Sequence, residues 1–119
     1  MSSFRECFEA YGANYDVTME RFMGNEALYL RLFGMLFADD NLQRLGDALA
    51  AGDITGAFEA AHTLKGVTGN LGLEPLYRAV CEIVEPLRSR EERDYKSMHE
   101  EILAQFQRAR ELLDNLKEG

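Results

Sequence analysis

The run Ala60-Ala61-His62-Thr63-Leu64-Lys65-Gly66-Val67-Thr68-Gly69-Asn70-Leu71-Gly72 reads as one helix with two unlike faces. An α-helix turns by about 100° per residue. With His62 at zero, Lys65 lies roughly 60° to one side, Gly66 roughly 40° to the other, and Gly69 within about 20°. One turn earlier, Phe58 and Glu59 flank His62 at about 40° and 60°. Ala57, Ala60, Leu64, Val67 and Leu71 point the other way and are expected to bury against neighbouring helices. An imidazole and a cation thus share an outer face with almost no side-chain bulk. A glycine inside a helix costs roughly 1 kcal/mol relative to alanine, and Gly66 and Gly69 both sit on the His62 face. Close approach by another macromolecule is a physical reason to tolerate that cost, because glycine removes the bulk that would hold it off.

Working outward from this run, the turn signals all delimit helices. Gly52 supplies a left-handed stop and Asp53 a cap, so the site helix is expected over Ile54 to Leu71, with Gly72 closing it. Upstream, Asp39-Asp40 opens a helix that reaches Ala51, with Leu42, Leu45, Ala48 and Leu49 inward. Asn25 caps a very apolar helix from Glu26 to Phe37, wider in its apolar coverage than one core stripe needs. It reads as a core helix also covered by the N-terminal helix, or as one that leaves part of its surface exposed for docking. Ser3 and Glu6 have capping-box spacing for a short helix from Phe4 to Tyr11 stopped by Gly12. Thr18 is expected to cap a turn from Met19 to Met23, with Gly24 as the stop.

Downstream, Glu74-Pro75 starts a helix with proline where no amide hydrogen is needed. Leu76, Ala79, Val80, Ile83, Val84 and Leu87 form its stripe, and Pro86 is expected to bend or end it. Ser89 to Glu92 has the spacing of a second capping box, opening a last helix that runs to Leu116. The stripe of that helix, Tyr95, Met98, Ile102, Phe106, Ala109, Leu113 and Leu116, keeps three- and four-residue steps throughout. The fold expected is all-α: an antiparallel up-down-up-down four-helix bundle with short extra N-terminal helices. We treat 1–119 as one domain, with 1–24 as the short helices and 25–117 as the helical body.

Composition narrows the function classes. Of 119 residues, 46% are apolar and only two are proline, which suits a helical core. The 13 basic and 21 acidic residues leave a net charge of −8, which argues against nucleic acid and anionic membrane as partners. Cys7 and Cys81 make no metal-like pair. Cys81 falls on an expected core face as a buried thiol, and a disulfide between the two has nothing to support it. With no signal peptide or long apolar span, a reducing cytosol is expected. His99 on the last helix has no Lys-Gly companion and reads as inert. Thr63 and Thr68 read as packing or back-bonded hydroxyls.

The pattern His62-x-Leu64-Lys65-Gly66, with a small residue at 69 and Leu71-Gly72 after it, resembles the signature of histidine-containing phosphotransfer (HPt) domains of two-component phosphorelays. Gly52-Asp53 resembles the family's turn before the phosphorylated helix, and Leu76, Cys81 and Glu85 resemble its next helix. The likeness covers about residues 17 to 113. Val67 departs from the smaller residue often found there, and Pro86 falls late in a helix that is usually uninterrupted; neither touches the His62 face. The resemblance implies that His62 accepts a phosphoryl group through Nε2 and that the partners are response-regulator receiver domains or a hybrid histidine kinase. It implies that Mg²⁺ and the acid cluster belong to the receiver, so the chain itself requires no cofactor and no metal.

The residues fit that chemistry. Neutral imidazole is a good nucleophile near neutral pH, and Lys65 fits as a point charge beside phosphoryl oxygens. Gly66 and Gly69 would admit the partner, although Gly69 could equally relieve crowding within the protein. Phe58 is either covered by the N-terminal helix or part of the docking surface. Glu59 is a candidate to fix the imidazole tautomer. No phosphate-binding glycine loop for ATP is present, so no autonomous kinase activity is expected. The chain reads as a free-standing, monomeric phosphorelay intermediate, with excision from a larger hybrid kinase left open. The alternative is a non-catalytic adaptor that binds a receiver or partner helix without phosphotransfer. A metalloenzyme is disfavoured because neither histidine follows a glutamate at Glu-x-x-His spacing.

Overall fold

In the computed structural model, which describes residues 3–118, every regular element is an α-helix. Side-chain caps and left-handed glycines set most of the boundaries. The first helix, α1 (Phe4–Tyr11), opens on the expected capping box, with the Glu6 N–H donating to Ser3 Oγ and the Ser3 N–H donating to Glu6 Oε1, both at 3.1 Å. The backbone and hydroxyl of Ser3 hold the Glu6 carboxyl below its usual range. The second, α2 (Tyr15–Arg21), precedes α3 (Glu26–Ala38), where the Leu28 N–H donates to Asn25 Oδ1 at 3.0 Å. Then come α4 (Asn41–Ala51), α5 (Ile54–Asn70), α6 (Glu74–Arg88) and α7 (Lys96–Glu118).

Two boundaries differ from expectation, each for a local reason. Thr18 does not cap a turn: Asn14 accepts from the Val17 N–H at 3.0 Å and starts α2 four residues earlier, leaving Thr18 buried inside the helix. Asp39-Asp40 opens α4 as expected, with Asp39 Oδ1 accepting from the Asn41 N–H at 2.7 Å. The second capping box does not form. Ser89 ends α6, Arg90 takes a left-handed φ of 53°, and α7 begins only at Lys96, whose N–H donates to Asp94 Oδ1 at 2.9 Å. Pro86 is buried within α6, and the helix ends two residues beyond it. Cys81 is half-buried rather than a core thiol, and both cysteines are free.

Successive helices pack on one another, α4 on α5, α5 on α6 and α6 on α7, while α1 and α3 lie against α7. Their apolar stripes meet in one core that includes Leu45, Leu64, Leu76, Ile83, Ile102 and Phe106. Removing such an aliphatic side chain from water contributes about 1.5–3 kcal/mol. Above that core the N-terminal aromatics form a second layer centred on Tyr29. Phe22 and Phe8 meet its ring edge-on at 5.1 and 5.5 Å between centroids, a favoured aromatic geometry. This layer explains the breadth of α3: Tyr29, Phe33 and Leu36 are buried, while Met35 stays 59% exposed. α3 is therefore a core helix covered by the N-terminal aromatics on one side and exposed at Met35 on the other.

The layer also reaches the end of α5. The Tyr29 hydroxyl donates to the Leu71 carbonyl at 2.5 Å, and burial pushes its phenol strongly upward. Gly72, at φ 68°, is buried under Thr18, whose hydroxyl occupies the space a Cβ would need. Only glycine meets both constraints there.

Candidate functional site

The site helix α5 is held at both ends. At its start, the Gly56 N–H donates to Asp53 Oδ1 at 2.9 Å. At its finish, the Leu73 N–H donates to the Thr68 carbonyl and the Gly72 N–H to the Gly69 carbonyl, both at 3.1 Å. This is a Schellman closure around a left-handed glycine. The last turn of α5 carries no basic residue of its own. Arg21 of α2 supplies one from outside, with Nη1 donating to the carbonyls of Gly69 (3.0 Å) and Asn70 (3.2 Å). A cation there also complements the negative end of the helix dipole.

Between these anchors the expected inner face is buried at Ala57, Ala60, Leu64 and Leu71, while Val67 is half-buried at the edge. Thr63 and Thr68 donate back to the Glu59 and Leu64 carbonyls at 3.0 and 2.8 Å, as back-bonded hydroxyls do. On the outer face, His62 and Gly66 are exposed, and Lys65 and Gly69 are half-buried. These four residues line one shallow depression of about 330 Å³, together with Asn70 and Tyr77. Among the described residues Lys65 makes no ion pair, so its charge is available to the depression.

The two glycines differ. A methyl added at Gly66 would meet nothing within 4 Å, so the backbone there is open to an incoming molecule. A methyl added at Gly69 would lie 3.0 Å from Tyr77 Cε1. Gly69 therefore makes room for a ring of α6 inside the protein. Cys81, one turn beyond Tyr77, raises the Tyr77 phenol above its usual range through a side-chain hydrogen bond.

Phe58 is half-buried and stacks on His62, with ring centroids 5.4 Å apart and planes inclined by 24°. What covers it is the Arg88 guanidinium of α6, 5.1 Å from the Phe58 centroid, and not the N-terminal helix. Glu59 is exposed and lies outside the depression. No hydrogen bond reaches either His62 nitrogen from Glu59 or from any other described residue. His99 packs over Gly46 of α4, far along the chain from this face.

A second depression of about 370 Å³ adjoins the first at Gly66 and Asn70. Leu32, Met35, Leu36, Val67 and Leu71 contribute its apolar side chains. Sequence spacing had assembled His62, Lys65, Gly66 and Gly69. It could not reach Tyr77, Arg88 or Arg21, which come from other helices and carry no periodic signal toward His62.

This arrangement can do a limited chemistry. It presents one accessible nucleophile, one unpaired cation and a flattened approach. Among the described residues no three His, Cys, Asp or Glu side chains converge as a metal-ligand group, and no helix is long and apolar enough to cross a membrane. Comparison with known families matches residues 35–119 to the model described as "Hpt domain". No curated protein and no solved structure matches the chain.

Proposed function

The chain belongs to the family of Hpt domains, phosphocarriers of two-component signalling rather than turnover enzymes, and we propose that His62 is its phosphoryl acceptor. The observation that carries this reading is the exposed imidazole beside an unpaired lysine, with open backbone at Gly66 on the same face. In the proposed step, Nε2 of neutral His62 attacks the phosphorus of a receiver's aspartyl phosphate. A P–N bond forms as the P–O bond breaks, and the electron pair leaves with the aspartate carboxylate. The Nε2 lone pair supplies the new bond, and the ring proton stays on Nδ1. Transfer to a second receiver reverses the step.

Lys65 balances charge on the phosphoryl oxygens, which is most of what such a loose transition state requires. The Phe58–Arg88 stack holds the ring in place, and Gly66 lets the receiver approach. The acid cluster and Mg²⁺ come with the receiver. The same reading treats the chain as one cytosolic, monomeric unit built on an up-down-up-down four-helix body, because the His62 face must remain uncovered.

The test is transfer from a panel of ³²P-labelled receiver domains with Mg²⁺. Label on wild type that is lost in acid, survives alkali and is absent from His62→Gln is the expected result. Lys65→Ala slows labelling while leaving the unfolding transition unchanged. Equal labelling of wild type and His62→Gln refutes the assignment. Receiver binding without any label would instead identify an adaptor.

A further inference from the structure

We infer that α2 and the turn after it read the partner: Arg21, braced on the end of the site helix, presents its free donors to a carboxylate of the receiver that docks at His62. This rests on the phosphocarrier reading above. Four observations converge on it.

Arg21 Nη1 is committed to the Gly69 and Asn70 carbonyls, and both of those residues line the His62 depression. The guanidinium therefore sits at the rim of that depression in a fixed orientation. Its Nε and Nη2 donate to nothing among the described residues, and it makes no ion pair there. Arginine carries five N–H donors in a rigid fork, so bracing through one nitrogen leaves a donor edge free for a carboxylate. In a chain of net charge −8, an exposed arginine at this position that forms no ion pair among the described residues is complementary to a carboxylate on a docking partner.

Apolar side chains flank it. Val17, one turn before Arg21 on the same face, is 51% exposed, and Met23, two residues after it, is 89% exposed. Met23 also holds a left-handed φ of 55°. That conformation is uncommon for a residue with a side chain and is found where the surrounding fold enforces it. Here the Gly24 N–H donates to the Met19 carbonyl at 2.9 Å and the Asn25 N–H to the Phe22 carbonyl at 2.9 Å, closing the turn that projects Met23 into solvent. A cation with satisfied anchoring and two apolar flanks is the composition of a docking hot spot rather than of an ordinary solvated face. Arg21 links it to the His62 depression through its hydrogen bonds to the Gly69 and Asn70 carbonyls.

The experiment measures both direct binding and phosphoryl transfer for the full chain against a panel of purified receiver domains. Four proteins are compared: wild type, Arg21→Gln, Arg21→Glu and Met23→Ser. With a receiver that labels wild type, Met23→Ser and Arg21→Gln are expected to raise the half-saturating receiver concentration about tenfold. Arg21→Glu raises it further, and the final extent of label is unchanged. Met23→Ser touches no core contact, so it tests the surface even if loss of the Arg21 brace loosens α5. Unchanged half-saturation, within about twofold, in both Met23→Ser and Arg21→Gln overturns the inference while leaving the His62 assignment intact. Receivers that bind wild type without labelling it, and bind Met23→Ser and Arg21→Gln about tenfold more weakly, overturn the His62 assignment and sustain the docking surface. Neither binding nor label with any receiver overturns both.

Discussion

Gly66 and Gly69 lie three residues apart on one helix face, yet alanine at each is expected to move stability in opposite directions. Helix propensity alone favours alanine over glycine by about 1 kcal/mol at either position. At Gly66 the new methyl meets open space, so the full gain is expected, which corresponds to roughly 3–5 °C in Tm for a domain of this size. At Gly69 the methyl lies 3.0 Å from Tyr77 Cε1 and 3.2 Å from Cδ1, and the ring must shift. Overpacking of that kind costs about 1–3 kcal/mol. The net result for Gly69→Ala is therefore from about neutral to about 2 kcal/mol destabilising. Urea unfolding of the two variants resolves the difference, and Tyr77→Ala restores the gain in the Gly69→Ala background. Phosphoryl transfer then separates stability from function. Gly66→Ala is expected to be the more stable protein and, under the proposed docking of a receiver at His62, the poorer carrier, because its methyl would stand on the face the receiver approaches. A loss of roughly 5- to 150-fold in the second-order transfer rate corresponds to the same 1–3 kcal/mol. The reasoning fails if both variants shift stability alike, or if Gly66→Ala transfers at the wild-type rate.

Other predictions follow from the same contacts. Tyr29→Phe leaves the buried Leu71 carbonyl without its 2.5 Å donor and is expected to cost about 1–3 kcal/mol; an unchanged denaturation midpoint would contradict that pairing. Phe58→Leu removes the ring between Arg88 and His62. Three-bond couplings of the imidazole should then report averaging over rotamers, and transfer should slow several-fold, whereas a single retained rotamer would count against the stack as a positioning device. Burial pushes the Tyr11 phenol up to about 12. Between its ordinary value near 10 and 12 the unfolded chain loses this proton first, so stability is fully present below pH ~10 and falls as pH rises, by about 2 kcal/mol at pH ~12. Tyr11→Phe should flatten that alkaline slope, and parallel pH profiles for the two proteins would refute the assignment.

Much of this molecule was legible from residue spacing. The capping box at Ser3, the cap at Asn25, the Gly52-Asp53 junction and the Gly72 stop are local chemistry. Each depends on groups within a few residues, and each formed where expected. The His62 face was legible for the same reason, since helical rotation alone places Lys65, Gly66 and Gly69 beside it. Errors arose where two local signals competed. Ser89 has capping-box spacing, but ending α6 took precedence and moved the start of α7 to Lys96. Asn14 offered a better-placed acceptor than Thr18, which the fold buried beneath the end of α5.

The all-helical composition and the one-sided constellation around His62 follow from periodicity and capping within single helices, and spacing along the chain was enough to read both. Tertiary structure alone decided which glycine is open and which is filled, that Arg88 rather than α1 covers Phe58, and that Arg21 closes the site helix from forty-eight residues away. Those outcomes depend on how separate helices cross, and packing between them leaves no signature in the spacing along any one of them.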